Sequence, residues 1–127
     1  MRARAESAAA TADRILDAAV GLFWEQMPGD IRLDDVAERS GVTVQTVLRR
    51  FGSKDELFAA AVEREARRVV AERRHVVPGD VHGAVENLVG HYETFGDGVM
   101  RMLREEHRVA AVDVVLDRGR REHRAWC

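Results

Sequence analysis

The chain has 127 residues with two prolines and few aromatic residues, which indicates one compact helical unit around a single core. Its formal net charge of -2 excludes a general nucleic-acid coat protein, so any DNA affinity has to come from a local basic patch. The only cysteine is Cys127, at the last position, which excludes a disulfide framework and a thiolate metal site.

The first residues form an alanine-rich segment that contains Arg2 and Arg4. This segment has no apolar run of the length that a signal peptide or a membrane span requires, so we expect a cytoplasmic protein without a membrane partner. A flexible arm is the favoured interpretation of residues 1–12. A basic arm that follows the DNA backbone or minor groove is the alternative.

A helical pattern of apolar residues begins near Asp13 and ends at the breaker cluster of residues 27–30. One face of this first helix carries Ile15, Ala19, Leu22 and Phe23. The helix is expected to pack across two shorter helices, because two short helices alone bury too little surface to be stable. Trp24, near its end, is interpreted as a packing residue.

Residues 33–51, LDDVAERSGVTVQTVLRRF, predict two short helices joined by a tight turn. The first helix has apolar and small residues at helical spacing, namely Leu33, Val36, Ala37 and Ser40. Gly41 suits the left-handed conformation that ends a helix, and the Thr43 hydroxyl can cap the next one.

The second of these helices has two chemically different sides. Its apolar arc consists of Val44, Val47, Leu48 and Phe51, and its opposite arc consists of Gln45, Thr46, Arg49 and Arg50, with no acidic residue. Amide, hydroxyl and guanidinium groups hydrogen-bond phosphates and base edges, so the pattern is typical of a DNA-reading helix-turn-helix. An ordinary helical hairpin with a solvated polar face is the alternative.

A long helix is predicted to follow, with Ser53 and Glu56 as a capping box. Lys54 lies in its first turn, where a cation is useful when a DNA phosphate approaches the free backbone amides. Charges of both signs along the helix predict a solvated face, formed by Glu63, Arg64, Arg67, Arg68, Glu72, Arg73 and Arg74. The helix is expected to end at residues 77–80, with Asp80 capping the next helix.

Residues 14–62 resemble the N-terminal DNA-binding domain of the tetracycline-repressor-like (TetR) family of bacterial regulators. The blocks ILDAAVGLF, DDVAERSGVT and TVLRRFGSKDELF occur in the order and spacing of that family. Gln45, Thr46 and Arg49 are expected to probe base edges, Arg32, Thr43, Arg50 and Lys54 to hold phosphates, and Val44 and Leu48 complete the expected DNA-binding set. Leu48, Arg50 and Gly52 depart from residues frequent in the family, which leaves the operator open.

The second half predicts two more helices. One carries a long apolar stripe from Val81 to Met102, with a bend or break expected at Gly96-Asp97-Gly98, and the other runs from Val109 to Trp126 with Val112, Val115, Leu116 and Gly119 inward. The resemblance implies an inducer pocket here, with His91, Tyr92, Phe95 and Met102 as candidate lining residues, although plain helix-bundle core is the alternative. It also implies further C-terminal dimerisation helices, so a fragment or truncated product is expected, with an abbreviated ligand domain as the alternative.

We therefore expect an all-α protein with an arm at residues 1–12, a three-helix helix-turn-helix DNA-binding head at residues 13–58, and a truncated helical regulatory domain at residues 59–127 joined to it by a long helix. The expected function is a ligand-responsive repressor that binds a palindromic double-stranded operator as a homodimer, without a cofactor. The alternative is a non-DNA interaction module, or a truncated partner that forms heterodimers with a full-length regulator. Catalysis and metal binding are not expected, because the sequence has no Gly-rich phosphate loop, nucleophile elbow or HExxH motif, and its five histidines are dispersed.

Overall fold

The computed structural model describes the backbone of residues 2–127 and the side chains of residues 7–127. Its elements are α1 (Arg2–Glu25), α2 (Leu33–Ser40), α3 (Val44–Phe51), α4 (Lys54–Arg73), α5 (Val81–Arg104) and α6 (Ala110–Trp126), with a short 3-10 helix at Pro28–Asp30. The described residues form no β-strand, which confirms the all-α prediction. None of the described helices is both long and apolar enough to cross a bilayer.

The turn between α2 and α3 is built as its residues predict. Gly41 has φ of 72°, and its N–H donates to the Glu38 carbonyl at 3.2 Å. Thr43 caps α3, because its hydroxyl oxygen accepts from the Thr46 N–H at 3.2 Å. A left-handed glycine followed by a hydroxyl cap satisfies backbone groups that the two helix ends leave free.

Helix α1 packs against α2, α4 and α5, and α4 also packs against α6. The core at the head lies where α1 packs against α2 and α4, with α3 packed against both of these, and it contains Ile15, Ala19, Leu22, Phe23, Val36, Val47, Leu57 and Phe58. Burial of one Ile, Leu or Phe side chain stabilises the fold by about 1.5–3 kcal/mol. The first helix therefore supports α2 and α4 directly, and it supports α3 through them.

Helix α1 begins at Arg2 and not near Asp13, so the backbone of residues 2–12 is helical where we expected a flexible arm. Alanine has the highest helix propensity, and the alanine-rich segment continues the helix backwards without a breaker. The side chains of Arg2 and Arg4, the candidate basic arm, lie outside the described part.

The junction between α3 and α4 contains a glycine, Gly52, in a backbone conformation that the sequence did not reveal. Gly52 has φ of 88°, and the Glu56 carboxylate occupies the space that a Cβ at Gly52 would need. A proline in place of Gly52 could not adopt this backbone, because its ring fixes φ near -65°. Ser53 caps α4 by accepting from the Glu56 N–H at 3.1 Å, which is one of the two hydrogen bonds of the predicted capping box.

Helix α5 runs unbroken through Gly96-Asp97-Gly98, so the predicted break there was wrong. Gly98 is buried against the indole of Trp24, and a Cβ placed on it would lie 2.3 Å from Trp24 Cε3. The glycine thus allows two helices to approach closely while the backbone stays helical. Within the predicted apolar stripe only Met102 is buried. Leu88, Phe95 and Val99 are half-buried, and Val81, Val85 and Tyr92 are exposed.

Two hydrogen bonds tie the C-terminal end of α5 to the last turn of α1 and to the loop that follows it. The Arg101 guanidinium donates to the Trp24 carbonyl, and the Glu105 carboxylate accepts from the Gly29 N–H at 2.9 Å. Helix α5 itself begins at an Asp80 cap, whose carboxylate accepts from the Gly83 N–H at 2.9 Å. The second half of the chain is therefore attached to the head through α5 as well as through α4.

Helix α6 begins one residue after its expected start and buries Val112 and Leu116. Val115 is half-buried, whereas Gly119 is exposed and not inward as predicted. Its position at the rim of a cavity between α4, α5 and α6 explains this difference.

Candidate nucleic-acid interface and interhelical cavity

The polar side of α3 is open to solvent. Gln45, Arg49 and Arg50 are exposed, and Thr46 is half-buried. Within the described residues, neither Arg49 nor Arg50 has a carboxylate at ion-pair distance. These guanidinium groups keep their donors available for phosphate oxygens or for guanine edges.

The apolar side of α3 is less completely buried than its pattern predicts. Val47 is buried and Val44 and Phe51 are half-buried, but the Leu48 residue is 38% exposed. Leu48 therefore belongs to the apolar arc without being buried. At about 100° per residue, Leu48 falls at the edge of the apolar arc next to Gln45, so it borders the polar surface, where it can make an apolar contact.

The N-terminal end of α3 presents a small hydroxyl cluster. Thr43 and Thr46 are linked by a hydrogen bond of 3.0 Å between their side-chain oxygens. Thr43 also caps the helix, so its hydroxyl fixes the end of α3 and lies next to the first exposed backbone amides. A helix N-terminus of this kind favours an anion through its free N–H groups and its dipole.

Arg32 immediately precedes α2, and Lys54 is the first residue of α4. The Arg32 side chain is exposed and lies 3.7 Å from the Asp34 carboxylate, a surface pair that contributes about 0–1 kcal/mol and is easily exchanged for a phosphate. Lys54 Nζ lies 5.5 Å from the centre of the Phe58 ring, and no described carboxylate pairs with it. Helix α3 packs against both α2 and α4, so the two cations belong to elements that position α3.

A cavity of about 290 Å³ lies between α1, α4, α5 and α6. His91, Tyr92 and Met102 line it, as three of the four predicted pocket residues. Phe95 does not reach its wall, because the Phe95 ring packs between the rings of Trp24, at 4.7 Å, and His91, at 5.2 Å. Trp24 itself contributes to the wall, so the residue that we expected only to pack also borders the cavity.

Arg73, at the end of α4, is a cavity residue that the sequence did not identify. The alternating charges of α4 predicted a solvated Arg73, but the residue is only 8% exposed. Its guanidinium lies 5.2 Å from the centre of the Trp126 ring. Burial results from the return of α6 across α4, and no local pattern around Arg73 indicates that return.

Two cavity histidines have a buried Nδ1 atom without a hydrogen-bond partner among the described residues, His91 and His123. Burial lowers the pKa of His91, and the positive charges of Arg73 and Arg68 lower it further. His91 is therefore neutral at pH 7, so its ring carries one donor nitrogen and one acceptor nitrogen.

No cluster of three or more metal-ligating side chains occurs in the part of the chain that was described. His82 and Glu86 approach each other to 3.2 Å on consecutive turns of α5, and both are exposed. Two exposed groups of this kind form a surface pair and not a coordination site.

Comparisons with family models and with curated proteins agree on one family of regulators. Residues 15–61 match the family described as bacterial regulatory proteins, tetR family. The uncharacterized HTH-type transcriptional regulator Rv1255c of Mycobacterium tuberculosis is 36% identical over 100 residues, which cover 79% of this chain and 47% of that protein. The HTH-type transcriptional repressor Rv3405c of the same species is 36% identical over 67 residues, covering 53% of this chain and 36% of the relative.

A third relative extends further along the chain. The HTH-type transcriptional repressor SCO4008 of Streptomyces coelicolor is 26% identical over 116 residues, covering 91% of this chain and 60% of that protein. The chain spans about half the length of the first curated relatives it matches. No solved structure gives a significant match.

Proposed function

Through residues 15–61 the chain belongs to the tetR family of bacterial regulatory proteins, and on this premise we propose that it is a sequence-specific DNA-binding transcriptional regulator. The observation that carries the proposal is the open face of α3, with two arginines, an amide and a hydroxyl and no acidic residue. A helix with such a face enters the major groove when a preceding helix and a tight turn hold it.

The side chains divide into two roles. Gln45, Thr46 and Arg49 read base edges, because amide and guanidinium groups form paired hydrogen bonds with adenine and guanine. The phosphate contacts come from Arg32, Thr43, Arg50 and Lys54. Val44 and Leu48 supply apolar surface beside the polar residues, which suits a thymine methyl group.

Regulation would require two copies of the head and a signal from the second half. Two α3 helices in a homodimer reach successive major grooves about 34 Å apart, which is the spacing of a palindromic operator. Exposed apolar residues on α5 and α6, including Val85, Val89 and Val114, support a self-association surface. A small effector that binds between the later helices would tilt α4, separate the heads and relieve repression. This function would take place in the cytoplasm, where bacterial DNA is found.

The division of roles can be tested by fluorescence anisotropy at several salt concentrations. The probes are a labelled duplex from the region upstream of the coding gene and an unrelated duplex of equal length. Arg49→Ala should reduce the preference for the upstream duplex by about 1–3 kcal/mol, whereas Lys54→Ala should weaken both duplexes alike and lower the salt slope by about one. Arg121→Ala, on the exposed side of α6, is the matched control and should change neither quantity.

The stoichiometry separates the proposal from its alternative. Saturation at two chains per upstream duplex supports a dimeric regulator. Equal losses for Arg49→Ala and Lys54→Ala on both duplexes would contradict the division into base and phosphate contacts. An absence of binding to either duplex even at low salt would favour an interaction module that does not bind DNA.

A further inference from the structure

We propose that the cavity between α1, α4, α5 and α6 binds a small organic monoanion, a carboxylic acid with an apolar body, whose carboxylate pairs with Arg73. The binding stands on the geometry of the cavity alone. The expected effect of ligand binding on DNA affinity rests on the proposed function.

Arg73 is a buried cation that lacks an anionic partner. Only 8% of the residue is exposed, it lines the cavity, and no described carboxylate lies at ion-pair distance from it. Trp126 covers one face of the guanidinium at 5.2 Å. A stacked guanidinium still offers its N–H groups at the edge, where a carboxylate accepts two parallel hydrogen bonds. Burial of an unpaired charge is unfavourable, and a bound carboxylate would remove that cost.

The other charged side chains of the wall already have partners. Glu65 pairs with Arg68 at 2.5 Å, Glu122 pairs with Arg118 at 3.0 Å, and Arg120 pairs with Glu106 at 2.5 Å. Each of these arginines also lies near a second carboxylate, namely Glu72 for Arg68, Glu63 for Arg118 and Asp117 for Arg120. Arg73 is thus the one arginine of the wall without a carboxylate partner among the described residues. The local positive charge of Arg73 favours an anion over a neutral or cationic ligand, and the surplus of carboxylates around it disfavours a second negative charge on that anion.

His91 and His123 supply the polar groups that orient a ligand. Each has a buried Nδ1 atom without a described hydrogen-bond partner, and both residues line the cavity. An unsatisfied buried polar atom is unfavourable, so a ligand that hydrogen-bonds it gains affinity. The second oxygen of a carboxylate, or a hydroxyl next to it, can meet this need.

The remaining wall selects the body of the ligand. It is predominantly apolar, with Val20, Phe23, Val69, Met102 and Leu116 among its residues. A volume of about 290 Å³ is at the lower end of typical ligand sites, which span about 300–1,000 Å³. A single aromatic ring or a short branched chain next to the carboxylate fits these limits.

The position of Arg73 connects this site to the head. Arg73 is the last residue of α4, and Lys54, in the candidate DNA surface, is the first. A carboxylate that pairs with Arg73 changes the contacts at one end of a continuous helix whose other end packs against α3. Acid binding should therefore alter affinity for DNA.

The test uses three probes of the same shape: 3-phenylpropionate, its neutral amide, and the cationic 3-phenylpropylamine. Binding is followed by calorimetry and by tryptophan fluorescence, because Trp24 borders the cavity and Trp126 stacks on Arg73. The acid should bind at least about tenfold more tightly than the amide, as a charge-assisted pair requires, and the amine should bind most weakly. Equal binding of acid and amide, or no acid binding at millimolar concentrations, would overturn the proposal.

Variants locate the site. Arg73→Met keeps a long side chain and should abolish the preference for acid over amide, whereas Arg73→Lys should retain part of it. Arg74→Met changes the neighbouring exposed arginine and should leave the preference unchanged. If Arg73→Met unfolds, as judged by circular dichroism, the anion site is still tested by Arg73→Lys and by the acid–amide comparison on the unmodified chain. Retention of the full preference in folded Arg73→Met would refute the assignment.

The DNA assay is kept separate from the ligand assay. With the proposed function correct, 3-phenylpropionate should change the anisotropy titration of the upstream duplex, and it should have no effect on Arg73→Met. If the chain binds no DNA, the proposed function fails while the calorimetric comparison still decides the anion site. If acid binds and DNA affinity does not change, the regulatory link is wrong.

Discussion

The contact between Gly98 and Trp24 makes a quantitative prediction about two glycines of one helix. Gly96→Ala should stabilise the fold by about 1 kcal/mol, because alanine favours an α-helix over glycine and the added methyl meets open space. Gly98→Ala gains the same propensity, but its Cβ would lie 2.3 Å from Trp24 Cε3. Packing against Phe95 at 4.7 Å limits the movement of the indole, so overpacking should cost about 1–3 kcal/mol.

The difference between the two variants is the informative quantity, because helix propensity cancels from it. Urea unfolding followed by far-UV circular dichroism should place Gly98→Ala about 1–3 kcal/mol below Gly96→Ala. In a Trp24→Leu background the clash is relieved, and the two alanine variants should have nearly equal effects. Equal stabilisation by both variants in the unmodified chain would show that Trp24 does not press on α5 in solution.

Two further predictions concern pH and backbone conformation. Burial, with Arg73 and Arg68 nearby, lowers the pKa of His91 below its ordinary 6.5, so the unfolded chain takes up this proton first and stability should fall as pH drops below 6.5. His91→Gln should make urea unfolding less sensitive to pH in that window, and an unchanged pH profile would contradict the shift. Gly41→Ala forces a side chain into φ of 72° and should cost about 1–2 kcal/mol of unfolding free energy, with a smaller loss for Gly41→Asn, whereas equal stability of all three proteins would count against a left-handed turn.

The head was predictable because its signals are local. Gly41, Thr43 and Ser53 mark helix ends through their own backbone or hydroxyl chemistry, and each lies where the structure ends or caps a helix. The helical spacing of Val36, Ala37 and Val47 likewise predicts their burial, and each short helix has only about two turns of sequence from which to read it. Such features need no knowledge of distant parts of the chain.

The second half was less predictable because its key residues depend on distant partners. Gly98 looks like a helix breaker until Trp24, from α1, is placed against it. Arg73 looks like one of several solvated charges until Trp126, from α6, covers it. Propensity and periodicity describe a helix by itself, whereas tertiary packing decides these two positions.

The double attachment of the head has a consequence for protein engineering. A chimera that joins residues 1–58 to a foreign regulatory half would keep the α4 junction but lose Arg101 and Glu105, which hold the end of α1 and the loop after it. Transplanted in this way, the head would be free to rotate about a single helix. A designer who wants a transferable DNA-binding head should move the C-terminal turns of α5 together with it, because these two hydrogen bonds extend the transferable unit beyond the end of the DNA-binding motif.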